Sequence, residues 1–255
     1  MQPTPEVKVP GGRGRLTLWV SQHRPVARLV GLTGALILFL ALMPPTLRMI
    51  LWDRLLSHKI LAGMLLVFSL LSISLVWSTG QKLDAWGFLF FNVWGPRPVR
   101  LDRVMLGFTQ VGSAIAALGF ALVFYLAGDH LLSYELMLGT LTLWMVVELV
   151  KFLVGRSRPF IRLAQARIVG YQPIGRSFPS GHTSQAFFMA TLLTRHFHSS
   201  PWVVFLLYTA ALLVGITRMY VGAHYPRDVL AGAILGSSWG LLGVIVDGYV
   251  LNGFG

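Results

Sequence analysis

Apolar stretches of about 18 to 22 residues, the length a helix needs to cross a hydrocarbon core, recur from residue 29 to residue 246. Candidate bounds are 29–47, 60–77, 104–126, 136–154, 182–194, 202–217 and 229–246; the fifth is short, and the first ends in Pro44-Pro45. Only 12% of residues are charged and 55% are hydrophobic, against roughly 25% charged in a soluble domain. The pattern predicts an all-α fold, a polytopic membrane helix bundle of six to seven transmembrane helices with an interfacial amphipathic segment. That segment is 81–103, where Trp86, Phe88, Phe90, Phe91 and Trp94 sit among Asp84, Arg97 and Arg100. It is aromatic, partly charged and too short to span, which suits the membrane–water boundary.

The chain divides into a basic N-terminal tail (1–28), N-terminal spans with the interfacial segment (29–103), and a helix bundle that holds all the motifs (104–248). Lys8, Arg13, Arg15, Arg24 and Arg28 run straight into the first apolar stretch with no small-x-small site behind it, so the tail reads as part of an uncleaved anchor. Lys plus Arg outnumber Asp plus Glu by 21 to 9. In a bilayer protein that excess points to anionic headgroups and cytoplasmic flanks, with no nucleic acid partner. The absence of cysteine excludes disulfides, thiolate nucleophiles and cysteine metal sites, which leaves nucleophilic chemistry to histidine. Gly112, Ser113 and Ala114, and then Gly232, Gly236 and Gly240 at four-residue spacing, mark places where helices approach closely.

Three strings carry chemistry. In the first, Lys151 and Arg158 are seven residues apart, on one face if the helix persists, and Pro159 marks the exit from the span. They open a loop, 155–178, that holds Arg156, Arg158, Arg162, Arg167 and Arg176 and no acidic residue. By itself the loop reads as a positive-inside or headgroup-contacting rim, whereas Lys151 and Arg158 together suit a dianionic phosphate, Arg as a planar fork and Lys as a point charge. In the second, Pro179-Ser180-Gly181-His182, a helix begins at Ser180 and Gly181 and offers free N–H groups to an anion, with His182 on its first turn. In the third, Arg218 precedes His224 and Asp228, which are four apart and so neighbours on a helix, where a carboxylate can hold one ring nitrogen and leave the other free to attack. Glu148, inside a span, is placed to pair with Lys151 three residues on. His196 and His198 have no third ligand nearby and read as a solvated loop end.

Lys, six residues, Arg-Pro, then Pro-Ser-Gly-His, then Arg, five residues, His, three residues, Asp: this pattern, from Lys151 to Asp228, resembles the type 2 phosphatidic acid phosphatase superfamily, in its membrane-embedded lipid phosphatase branch. The one departure is Thr217, where many members have serine. The resemblance implies that His224 is the nucleophile of a phosphohistidine intermediate, Asp228 orients it, and His182 protonates the leaving oxygen. Lys151, Arg158, Ser180, Gly181 and Arg218 would hold the phosphate. Five donors of that kind do the work of a metal in stabilising equatorial charge, so neither a metal nor another cofactor is expected.

The expected activity is hydrolysis of a phosphate monoester or pyrophosphate on a membrane lipid: a polyprenyl pyrophosphate, phosphatidylglycerol phosphate, phosphatidate or lipid A. The same residues would also serve lipid-to-lipid phosphate transfer, and a non-catalytic lipid binder or transporter is the remaining class; charge gathered at one end of the bundle speaks against transport. Soluble haloperoxidases share the motif but not the apolar spans. The expected setting is the cytoplasmic membrane of a bacterium. If all seven stretches cross, the basic tail and the site share a face that the positive-inside rule makes cytoplasmic, whereas the resemblance suggests the outer face.

Overall fold

The computed structural model describes residues 41–95 and 98–251, with three isolated positions before them. The basic tail and about half of the first apolar stretch lie outside these residues. The chain forms one unit up to Met49 and another from Ile50 onward; apart from the start of the first helix, everything below concerns the second. Among the described residues the regular structure is helical: α1 (Pro45–Ser57), α2 (Lys59–Ser74), α3 (Ser78–Asn92), α4 (Val99–Thr109), α5 (Ala114–Leu126), α6 (His130–Val154), α7 (Pro159–Arg162), α8 (Gly181–His196), α9 (Pro201–Tyr220) and α10 (Pro226–Leu251).

Three of these, in α6, α9 and α10, are long and apolar enough to cross a membrane alone, and two bent pairs, α2 with α3 and α4 with α5, raise the number to five. The stretch 104–126, expected as one helix, is broken. A 3-10 turn at Gln110–Gly112 ends α4, Ser113 caps α5 by accepting from the Ala116 N–H at 3.1 Å, and the two helices meet at 58°. Gly112 permits the break to nestle against α8, since a Cβ there would fall 2.5 Å from the His182 carbonyl oxygen. α6 starts six residues before its expected bound, at an Asp129 cap whose carboxylate accepts from the Leu132 N–H, and ends on Gly155 at φ 66°, a left-handed stop that glycine makes readily. Its outer face presents Leu138, Leu141, Trp144, Met145 and Leu149, each more than half exposed. Apolar surface on that scale is what a helix shows to lipid.

α8 is the short span, 16 residues or roughly 24 Å, and it is the core. It is buried nearly all round, and its polar side chains are satisfied: Gln185 donates to Thr140 Oγ1 at 2.9 Å, Ser184 Oγ to the Ser180 carbonyl at 3.0 Å, and Thr191 pairs with Tyr208 OH at 2.8 Å. Leu132, Leu136, Leu143 and Val147 of α6 close one side on Phe188, Met189 and Leu192. The glycine spacing in α10 makes the other side. A Cβ at Gly232, Gly236 or Gly240 would lie 2.7, 2.0 or 2.7 Å from Ser180, Ser184 or Thr191, so α10 rides on the α8 backbone itself.

Of the segment 81–103 expected at the membrane–water boundary, residues 99–103 open α4 and residues 81–92 lie in α3, which is set at 97° to α2. The two faces of α3 differ sharply. Trp86, Phe90 and Trp94 point outward, the first two stacked at 6.2 Å. Asp84, Phe88 and Asn92, four apart, are buried.

Candidate active site

The three strings meet where α6 ends and α8 and α10 begin. Arg158 does not share a helical face with Lys151, because Gly155 has already stopped α6. Instead the chain turns back and buries the Arg158 guanidinium, which donates to the carbonyls of Ile174 (2.9 Å), Gly175 (3.2 Å) and Ala223 (3.1 Å) and lies 3.4 Å from His224 Nε2. Lys151 reaches the start of α8, with Nζ 3.9 Å from where a Cβ on Gly181 would sit, and pairs with Glu148 at 2.7 Å as its spacing predicts.

Ser180 caps α8, its Oγ accepting from the Thr183 hydroxyl (2.8 Å) and N–H (3.4 Å), while its own N–H donates to the Asp228 carbonyl at 3.0 Å. The helix start is thereby tied to the start of α10. His182 follows on the first turn, within electrostatic reach of Arg218, His224, Lys151 and Arg158. Arg218, at the end of α9, is buried and gives Nη1 to Thr109 Oγ1 at 2.9 Å, while its Nε has no protein acceptor. A buried guanidinium N–H without a partner is costly, and an anion would satisfy it. The Thr217 hydroxyl is turned away, donating to the Val214 carbonyl of its own helix at 2.6 Å.

His224 lies in the turn before α10, so the expected helical neighbourhood with Asp228 is replaced by a tighter arrangement. Gly222 makes the turn possible: its φ is +89°, and a Cβ there would be 2.2 Å from the Arg167 carbonyl. The Arg218 carbonyl accepts from both the Ala223 and His224 N–H groups. His224 Nδ1 is 2.7 Å from the Ser177 carbonyl oxygen, and the Asp228 carboxylate stands 3.6 Å from it, beyond hydrogen-bond length. A carbonyl can only accept, so Nδ1 carries the proton and Nε2 keeps its lone pair. Burial, opposed by Asp228 and aided by the Arg158 charge, pushes the imidazole down to about 4.

Asp228 is fully buried and heavily bonded, to the Tyr225 N–H at 2.8 Å, to Ser177 Oγ and to Arg156. The other arm of Arg156 reaches Asp84 of α3, which also holds Arg227 at 2.7 Å. The sequence alone does not mark Asp84, Ser177 or Thr109 as members of the site, and Arg156 reads there only as one cation of a basic loop. The readable signal was Asp84 itself, an acid one and two turns before Phe88 and Asn92 on an apolar helix. His196, expected in a solvated loop end, instead ties α8 to Asp129 at 2.8 Å.

The chain as a whole has relatives. Residues 130–250 match the family model of the PAP2 superfamily. The chain is 35% identical over 101 residues to an undecaprenyl-diphosphatase of Sulfolobus acidocaldarius, covering 39% of this chain and 48%, about half, of that one. It is 31% identical over 163 residues to phosphatidylglycerophosphatase B of Bacillus subtilis, covering 58% and 75%. The crystal structure of a transmembrane PAP2 type phosphatidylglycerolphosphate phosphatase from Bacillus subtilis shares the fold, with a TM-score of 0.63 over 74% of this chain and 96% of that one at 24% identity. The helical architecture, the family model and the Bacillus relative agree: this chain is a multi-pass membrane protein that belongs to the PAP2 superfamily.

Proposed function

We propose that the protein is an integral-membrane lipid phosphatase that hydrolyses a phosphate monoester or pyrophosphate of a lipid through a phosphohistidine at His224. The observation that carries this reading is the ring of His224, with Nδ1–H held on the Ser177 carbonyl and the Nε2 lone pair turned to the side where Arg158 lies. Nε2 attacks phosphorus, the bond to the leaving oxygen breaks, and His182 delivers a proton to that oxygen. Water, losing its proton to His182, then cleaves the P–N bond and releases inorganic phosphate. Lys151, Arg158, Arg218, Ser180 and the Gly181 N–H take the equatorial oxygens, which makes a metal unnecessary.

The substrate class follows from the setting and the relatives. The site lies where α6 ends and α8 and α10 begin, at one end of an apolar bundle, and the undecaprenyl-diphosphatase and phosphatidylglycerophosphatase named above are both, by name, phosphatases of lipid phosphates. We place the protein in the cytoplasmic membrane with the site at its outer face; Tyr171, exposed in the loop beside the site, changed to Cys, should then react with an impermeant maleimide on intact cells. The activity test is phosphate release from polyprenyl pyrophosphate, phosphatidylglycerol phosphate and phosphatidate in detergent micelles with excess EDTA. Turnover of at least one in EDTA, abolished in His224→Ala, is the expected result; turnover only with added magnesium contradicts it.

A further inference from the structure

Asp84 and Asp228 are both buried carboxylates, on helices far apart in sequence, and Arg156 joins them, one terminal nitrogen to each. We propose that Arg156 and Asp84 are positioning residues for the reaction at His224: Asp84 holds Arg156, and Arg156 holds Asp228 behind the imidazole. This rests on the function proposed above.

Asp84 is itself anchored on more than one side, by the Arg227 N–H at 3.1 Å and Arg227 Nε at 2.7 Å, while Arg227 Nη1 donates to the Ser74 carbonyl at 2.6 Å. Four parts of the chain, the end of α2, α3, the loop after α6 and the start of α10, are thus locked at one carboxylate. The Arg156 guanidinium also lies over the Tyr225 ring at 4.2 Å, so its plane as well as its charge is set. Each terminal nitrogen of Arg156 is engaged with a carboxylate, Nη1 with Asp228 and Nη2 with Asp84.

The consequence falls on the ring. The groups acting on His224 are Arg158 and the Ser177 carbonyl from the loop, Arg218 from α9 and Asp228 from α10, with His182 of α8 close by. Of the charged groups among these, Asp228 is the one that favours a protonated imidazole, and Arg156 balances its charge. Without Arg156 the full carboxylate charge acts on Nδ1 from 3.6 Å, the ring becomes more basic, and the free Nε2 needed for attack is lost at a higher pH.

The test is steady-state kinetics of the purified full-length protein in micelles, on a lipid phosphate it turns over, across the acid limb of kcat/KM. In Arg156→Gln, kcat should fall by ~100-fold with KM within ~3-fold, and the acid limb should move up by about one pH unit. Arg156→Lys should recover part of the rate and most of the limb, since a point charge balances Asp228 but does not bridge two carboxylates. Asp84→Asn should leave the limb where it is or move it down, because Arg156 then serves Asp228 alone. A general loosening of the fold would move the limb the same way in both, and that result overturns the proposal, as does a kcat within ~3-fold in Arg156→Gln. A loss carried by KM would make Arg156 a phosphate ligand and overturn it too. Should Arg156→Gln not fold, Arg156→Lys and Asp84→Asn decide it by the limb alone. His224→Ala, run alongside, separates the two proposals: activity surviving there removes the mechanism, whereas its loss beside a wild-type-like Arg156→Gln removes only the positioning role.

Discussion

His224 Nδ1 lies 2.7 Å from the backbone carbonyl of Ser177, a residue 47 positions earlier in the chain. The same residue's hydroxyl donates to Asp228. One loop residue therefore sets the imidazole tautomer with its backbone and the carboxylate position with its side chain.

Ser177→Ala separates these duties. The carbonyl remains and the hydroxyl is lost, so the ring should keep its tautomer while Asp228 loses one charge-assisted bond. The expected cost is ~10-fold in kcat with KM little changed, measured as initial rates on a lipid phosphate. A loss as deep as that of His224→Ala would mean that the hydroxyl, and not the carbonyl, governs the ring.

The pH dependence of stability follows from His224. Its folded-state value is pushed down to about 4, chiefly by burial, from an ordinary value of 6.5. As pH falls the unfolded chain takes up that proton first, so the contribution is intact above about 6.5 and is lost as pH drops toward about 4. Melting of the detergent-solubilised protein should decline through that window, and His224→Gln should flatten the decline. An unaltered slope in the variant would show that the imidazole is not held neutral.

His182→Ala should distinguish leaving groups. A dialkylglycerol phosphate, whose alkoxide needs a proton, should slow by ~10²-fold or more, whereas an aryl phosphate should lose far less. Equal losses on both substrates would remove His182 from the acid role and leave it as a phosphate ligand.

The motif residues could be read because each string is local: Lys151 to Pro159, Pro179 to His182 and Arg218 to Asp228 keep their spacing wherever the helices go. What spacing could not show was the backbone between them. Gly155 stops α6 before Arg158, and the Gly222 turn lifts His224 off the helix that carries Asp228, so both expected helical faces were replaced by loop geometry. The bonds behind His224 were hidden for another reason. Asp84 and Arg156 are 72 residues apart, and Arg218 and Thr109 are 109 apart, so those pairings exist only once tertiary packing has formed. The glycine repeat in α10 was legible as close packing, though not as packing on α8 in particular.

That repeat yields a paired stability prediction. A Cβ at Gly236 would sit 2.0 Å from the Ser184 carbonyl, backbone that cannot give way cheaply, whereas at Gly243 the nearest atom is a flexible Leu192 methyl at 3.8 Å. Gly236→Ala should destabilise by about 3 kcal/mol. Gly243→Ala should be neutral or stabilise by up to ~1 kcal/mol through helix propensity. Denaturation in micelles measures both, and similar values for the two would contradict the close seating of α10 on α8.

The central claim, a covalent phosphate on His224, is tested most directly by trapping it. Labelled lipid phosphate is mixed with the protein in EDTA and the reaction quenched in alkali, where phosphohistidine survives and acyl phosphate does not. Base-stable, acid-labile label is expected on the peptide containing His224 in the wild type, and none in His224→Ala. Label retained in His224→Ala, or phosphate released at the wild-type rate by that variant, would contradict it.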